Sequence, residues 1–339
     1  MNVRIAALLL VSLWPSAGRA RDPIIDMHLH ARAALYAGPN PPPMCTPFAV
    51  MPRSDSRRSP AEDFAFAREP CPHPVAAGTS DEAIMRETLA VMLRRNIIGM
   101  VSGEPEQMQH WRERAPDRII VGLDLRVGAD SSQVHVAPRS PGEVRALFRA
   151  GRFQVLGEIM AQYEGLAPDD PRLEPYWALA EELDIPVGIH MGPGGPADPY
   201  GGSPNYRARN GNPLLLEEVL VRHPRLRLYI MHAGYPMAAE LRALLFSHPQ
   251  VYVDIASIVY TEPRQAFYSF LREIVEAGYG DRILFGSDQM IWPGVIEPSI
   301  EAIERAPFLT HQQKRDILYN NAARFLRLTP EQIARHHAM

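Results

Sequence analysis

The chain has 339 residues, enough for one α/β barrel of about 250 residues with insertions and too many for a small disulfide scaffold. Hydrophobic residues make up 46% and charged residues 22%, with no long polar tract, which excludes a disordered chain. A net charge of −4 without any block of like charges excludes an electrostatic footprint for nucleic acid or an anionic membrane and leaves a small-molecule partner. No pattern specifies an oligomeric state.

Arg4, the apolar run Ile5 to Leu13, and then Pro15, Ser16, Ala17, Gly18, Arg19 and Ala20 follow the order of a secretory signal. Residues 1–20 are therefore expected to be a cleaved signal peptide, and residues 21–339 a single barrel that is secreted or periplasmic and does not stay in the membrane. The apolar run is too short to span a bilayer. Export changes how Cys45 and Cys71 read. Both fall in a proline-rich insertion, residues 31–80, that has no periodic segment between Pro39 and Pro74, and in an oxidising compartment such a pair is expected to form a disulfide.

From Ile24 onward, short β-rich runs alternate with longer helical patterns. The runs are Ile24 to His28, Ile97 to Ser102, Ile119 to Leu125, Val155 to Ile159, Val187 to His190, Leu226 to His232, Val251 to Ile255 and Ile283 to Phe285. Most are continuous apolar stretches, as strands covered by helices should be. Eight strands alternating with helices predict a (β/α)8 TIM-type barrel with a long insertion after the first strand. A doubly wound sheet is disfavoured, because no glycine-rich phosphate loop follows that strand.

Polar residues fall at one end of these runs. His28 and His30 close the first, Glu158 the fourth, His190 the fifth and His232 the sixth, and Asp288 follows the eighth. In a barrel those C-terminal ends converge on one face, so the six residues are expected to share one volume. His28 and His30 are two apart and project to the same side of a strand. Imidazole and carboxylate donors without cysteine suit zinc, manganese or iron. His223, His248, His336 and His337 read as surface residues at helix ends or in the tail.

These motifs resemble the amidohydrolase superfamily, in its amidohydrolase-related branch, which includes aminocarboxymuconate-semialdehyde decarboxylase and related lactonases. The resemblance rests on Ile25-Asp26-Met27-His28-Leu29-His30, Gly157-Glu158-Ile159, Val187-Gly188-Ile189-His190, Met231-His232-Ala233-Gly234 and Phe285-Gly286-Ser287-Asp288. It implies that His28, His30, His190 and Asp288 hold a divalent metal, zinc or manganese. It also implies that His232 is either a ligand to a second metal or an acid or base. Many relatives bridge two metals with a carbamylated lysine on the fourth strand; here Glu158 stands there, and Lys314 is the only lysine. One or two ions per chain therefore remain open. The implied activity is hydrolysis of an amide, ester or lactone by metal-activated water, with Asp288 and His232 catalytic. Non-oxidative decarboxylation of an aromatic or enoic acid is the alternative, and a non-catalytic metal- or ligand-binding barrel is the reading from another class. Substrate contacts are expected from the loops, with Tyr206, Arg207, Arg209 and Trp292 as candidates.

Overall fold

A computed structural model describes residues 21–51, 53–62, 71–128 and 136–339; the expected signal peptide, residues 1–20, lies outside the described residues. The strands are β1 (Ile24–His30), β2 (Met44–Cys45), β3 (Pro74–Val75), β4 (Ile97–Gly103) and β5 (Ile119–Leu125). They continue with β6 (Val155–Ile159), β7 (Val187–His190), β8 (Leu228–Met231), β9 (Tyr252–Asp254) and β10 (Ile283–Leu284). Each of the eight apolar runs carries one strand of a parallel sheet in the order β1-β4-β5-β6-β7-β8-β9-β10. The amide of Met27 donates to the Phe285 carbonyl at 2.8 Å and that of Asp288 to the His28 carbonyl at 2.7 Å, which brings the chain after β10 back onto β1. The sheet is thus a nearly closed TIM-type barrel.

Local chemistry fixes the outer helices. In α1 (Asp81–Arg95), the Ser80 hydroxyl accepts from the Ala83 amide, acids occupy the first turn and arginines the last, and left-handed Asn96 ends the helix. α2 (Pro105–Arg114) and α3 (Pro141–Arg149) both start with proline, and Ser140 and Glu143 close a capping box on α3. Strand side chains divide between two apolar clusters. Ile25, Met27, Ile98, Met100, Tyr229 and Met231 belong to one, whereas Ile24, Leu29, Ile97 and Val101 pack with helix residues such as Ile84 and Met92.

β1 changes register against β4 between Asp26 and Leu29. Ile25 before this irregularity and Met27 within it join the cluster containing Tyr229; beyond it, His30 lines an open cavity. An extra residue in one strand re-aims the side chains that follow it, which is how adjacent positions of β1 serve both core and site.

Residues 31–80 connect β1 to α1 and, where described, contain only two 3-10 turns and the antiparallel β2·β3 pair. Cys45 and Cys71 are joined by a disulfide with Cα atoms 5.6 Å apart. The Trp292 indole donates to the Pro42 carbonyl at 2.9 Å, and the Gly78 amide to that of Ile291 at 2.8 Å, tying this segment to the top of the barrel.

His223, expected at the surface, is buried. Its ring sits between Glu174 Oε1 at 2.9 Å and Glu181 Oε2 at 3.2 Å, two acids of α4 (Glu174–Glu182) that repay its loss of water. His248 and His336 are half-buried and His337 is exposed.

Candidate metal centre

The six strand-end residues meet at the C-terminal face, all buried. His28 Nε2 lies 3.1 Å from His30 Nε2, and Asp288 Oδ1 lies 3.7 and 3.3 Å from those two atoms. On the far side, His190 Nδ1 is 3.0 Å from His232 Nε2. Glu158 stands between the pairs, with Oε1 2.6 Å from His190 Nδ1 and 3.9 Å from His232 Nε2, and Oε2 3.6 Å from His30 Nε2. His28, His30 and Asp288 form one group with cation-holding spacing, and His28, Glu158 and His232 another.

The outer nitrogens of three rings are already committed. His28 Nδ1 faces Asp254 Oδ2 at 3.0 Å, and His232 Nδ1 faces the Ala256 carbonyl at 2.9 Å. Both partners only accept, so each Nδ1 carries a hydrogen and each Nε2 offers a lone pair. His30 Nδ1 meets the Ser102 hydroxyl at 2.9 Å, and that hydroxyl can donate to the Leu29 carbonyl at 3.4 Å while accepting from the ring. Three imidazole lone pairs and two carboxylates therefore point at one another. Such a donor set repels itself unless a cation lies between its members, and nitrogen and oxygen donors of this kind fit a divalent transition metal.

The ionisation of the cluster reflects the same imbalance. Burial opposes charge on Glu158, yet the His190 and His232 side chains hold its carboxyl well below the usual range. Asp288 is likewise held low against burial by His28, His30 and His232. Burial disfavours imidazolium at His30 and at His232, but the surrounding carboxylates, Asp124 and Asp288 for the first and Glu158 and Asp288 for the second, push each up to about 9. The acids draw positive charge into the site, and protons and metal ions compete for that role.

Four supporting residues did not stand out in the sequence. Asp254, at the end of β9, accepts from His28 Nδ1 and, through Oδ1, from the amides of His232 at 2.8 Å and Ala256 at 3.0 Å. Asp124 accepts from the Glu158 amide at 3.0 Å and from Arg32 Nη1 at 2.6 Å. With Ser102, these residues fix how the donors are aimed. The available signal was a lone acid in an apolar strand, as in Val121-Gly122-Leu123-Asp124-Leu125 and Val251-Tyr252-Val253-Asp254-Ile255, which demands a buried partner.

A cavity of about 450 Å³ opens above the cluster, lined by His30, Glu158, His190, His232 and Asp288 and walled by Arg32, Tyr36, Met44, Phe48, Tyr163, Asp198 and Trp292. A larger groove of about 830 Å³ lies between Phe148, Arg227, Leu326 and His336, away from all six donors. Trp292 thus reaches the cavity wall. Tyr206 is buried just behind it, its hydroxyl donating to the Gly192 carbonyl and accepting from the Gly194 amide, both at 2.9 Å. The Arg207 guanidinium folds back onto the carbonyls of Pro204 and Tyr206, and neither Arg207 nor Arg209 is among the cavity-lining residues.

A TIM-type barrel with histidines and acids gathered at its strand ends is the class that fold and site define. The chain belongs to the amidohydrolase family, whose model matches residues 25–328. Among solved structures, an uncharacterised TIM-barrel protein from Bordetella bronchiseptica is 19% identical with a TM-score of 0.60, covering 92% of this chain and 99% of that one. The 5-carboxyvanillate decarboxylase LigW from Sphingomonas paucimobilis is 15% identical with a TM-score of 0.55, over 91% of this chain and 100% of that one. A protein described as a probable 2-pyrone-4,6-dicarboxylic acid hydrolase from Acinetobacter baumannii, with citric acid bound, is 15% identical with a TM-score of 0.53, over 90% and 99%. At these identities the likeness is one of fold. Protein fluG of Emericella nidulans is 29% identical over 82 residues, which are 24% of this chain and span only 10% of that protein.

Proposed function

We propose that the protein is a metal-dependent hydrolase of a small amide, ester or lactone, with Glu158 shared between two cations. His28, His30 and Asp288 would hold one ion, and His190 and His232 the other. The observation that carries this reading is the split of the Glu158 carboxylate, with Oε1 turned to His190 and Oε2 turned to His30. When bound, such ions supply Lewis acidity toward a carbonyl oxygen and a nucleophilic water at neutral pH.

The chain's own groups do the rest. The Asp288 carboxyl, held low by His28, His30 and His232, lines the cavity, so it can take the proton of the attacking water and return it to the leaving group. Asp254 and Ser102 keep the rings of His28 and His30 turned inward. Tyr36, Phe48, Tyr163 and Trp292 hold the substrate and limit the water around the reacting bond.

Decarboxylation of an aromatic or enoic acid is the second reading, supported by the fold likeness to a 5-carboxyvanillate decarboxylase and by Arg32 in the cavity wall. Against it, the Arg32 guanidinium already donates to Asp124 at 2.6 Å and lies 3.8 Å from Glu158, so little of its charge is left for a substrate carboxylate. Export belongs to the same proposal; the order of the first twenty residues and the Cys45–Cys71 bridge support it.

Metal analysis of wild type and Glu158→Gln, combined with amide, ester and lactone panels and an assay for released carbon dioxide, tests the proposal. About two ions in wild type, fewer in the variant, and hydrolysis lowered by orders of magnitude are expected. Carbon dioxide release without hydrolysis, or one ion in both proteins, would overturn it.

A further inference from the structure

The cavity wall carries an acid that the metal centre does not use. Asp198 lies in the loop after β7, in a short 3-10 turn over Asp198–Tyr200, and faces the same cavity as His190 and Glu158. Its Oδ2 accepts from the Gly195 amide at 2.8 Å. Among the described residues, no arginine, lysine or histidine pairs with it, and burial pushes its carboxyl up to about 6 against that one backbone hydrogen bond. A carboxylate in such a place normally has a cation beside it.

The loop is shaped around this carboxylate. A Cβ at Gly194 would stand 2.5 Å from Asp198 Oδ2 and 2.9 Å from the Tyr206 ring, and one at Gly195 would stand 2.8 Å from Asp198 Oδ1. Only bare backbone leaves the acid its position. Aromatic rings stand close by. Tyr163 packs 5.6 Å from Tyr206 and 4.5 Å from the His190 imidazole, centroid to centroid, so it spans from the acid's neighbourhood to the metal centre. Burial first, and the Asp198 charge next, keep the Tyr163 phenol neutral. Tyr36, also on the cavity wall, already carries the Arg32 guanidinium over its ring, 5.5 Å from the centroid.

We infer that Asp198, with the face of Tyr163, forms a subsite for a positively charged amine on the substrate, in the same cavity as the strand-end cluster. A carboxylate paired with aromatic faces recognises an ammonium group by charge and by the ring quadrupole together. The other acid on the wall, Glu262, accepts from the Tyr235 hydroxyl at 2.9 Å and also lacks a cationic partner among the described residues, so it adds to the same field. Arg32, the one arginine lining the cavity among the described residues, is held by Asp124. The inference deepens the hydrolase reading and rests on it for the class of bond.

The test uses the metal-loaded protein and a matched pair of probes, alaninamide, which is cationic at pH 7, and N-acetylalaninamide, which is neutral. Calorimetric titration of wild type should show the cationic probe binding at least ten-fold more tightly. Asp198→Asn should bring the two within about two-fold by weakening the cationic probe alone. Gly194→Ala, which drives a methyl into the carboxylate, should do the same and guards against a folding defect peculiar to the first variant. Equal binding of both probes by wild type, no binding of either, or a preference that survives both variants would overturn the subsite. Hydrolysis of the same pair separates the two proposals. Selective binding without cleavage in the amide, ester and lactone panels sinks the hydrolase and leaves the subsite, while cleavage without selectivity does the reverse.

Discussion

Asp254 accepts a hydrogen bond from His28 at 3.0 Å, joining the last residue of β9 to a residue of β1 that lies 226 positions away in the chain. The other oxygen of the same carboxylate holds the amides of His232 and Ala256. One side chain thereby sets the tautomer of one donor and the turn that carries another.

Asp254→Asn should reverse that setting. The amide oxygen is needed by the two backbone amides, so the NH2 group would face His28 Nδ1 and favour the tautomer whose Nε2 carries the hydrogen. A protonated Nε2 cannot bind metal. Metal affinity, measured by competition with a chelator, should fall about 10- to 100-fold, with much smaller changes in secondary structure.

Removing the metal should lower thermal stability. An ion that binds only the folded chain stabilises it by mass action, by about 2.7 kcal/mol at a free concentration 100 times Kd. Calorimetric scans of chelated and reloaded wild type should differ by several degrees, and His30→Ala, which deletes a donor, should lose most of the difference. Identical scans for loaded and stripped wild type would count against the centre.

Arg32→Met should destabilise the fold by about 3 kcal/mol, because it strands the buried Asp124 carboxylate. Burial disfavours charge on Asp124, but Arg32 and His30 hold its carboxyl below the ordinary value. A group with a lowered folded pKa contributes stability that is present above its unfolded pKa and lost as pH falls toward the folded one. The gap between wild type and variant in urea melts should therefore be widest near neutrality and shrink on acidification below the ordinary aspartate pKa.

Asp198→Asn should behave in the opposite sense. The carboxyl rises from 3.8 to about 6 in the folded chain, so the folded state favours its protonated form. Stability from this group is present below the unfolded pKa and lost as pH rises through about 6. The variant should gain on wild type in melting temperature between pH 4 and 7, and bound alaninamide should return part of that difference to wild type.

Reduction of the Cys45–Cys71 bridge should loosen the wall next to it, since Met44 and Phe48 flank Cys45 and both line the cavity. The bridge joins residues 26 apart in sequence, for which loop-closure entropy suggests up to about 3.5 kcal/mol. Cys45→Ser with Cys71→Ser should raise KM several-fold with kcat nearly unchanged, because neither residue is one of the six strand-end residues.

The barrel and the six converging donors were legible in the sequence because both are periodic features. Apolar runs of strand length alternate with helical patterns, and the polar exceptions sit where parallel strands end on one face. A His-x-His pair on a strand needs no tertiary information to be placed on one side. Cys45 and Cys71 were legible as a pair for a different reason, being the only two cysteines in the chain.

Which groups support those donors was decided only by the tertiary structure. Asp254 reaches His28, Asp124 reaches Arg32, and Glu158 divides its oxygens between two histidine pairs through contacts that depend on strand register, on the irregularity in β1 and on left-handed turns at His232 and Asp288. The same holds for the loop after β7, where the arginines drew attention but the Gly194-Gly195 backbone turned an aspartate toward the cavity. Periodicity assigns a residue to a face of its own element. The partner across the barrel follows from how the sheet twists, shifts and closes, and no local pattern in the chain records that closure.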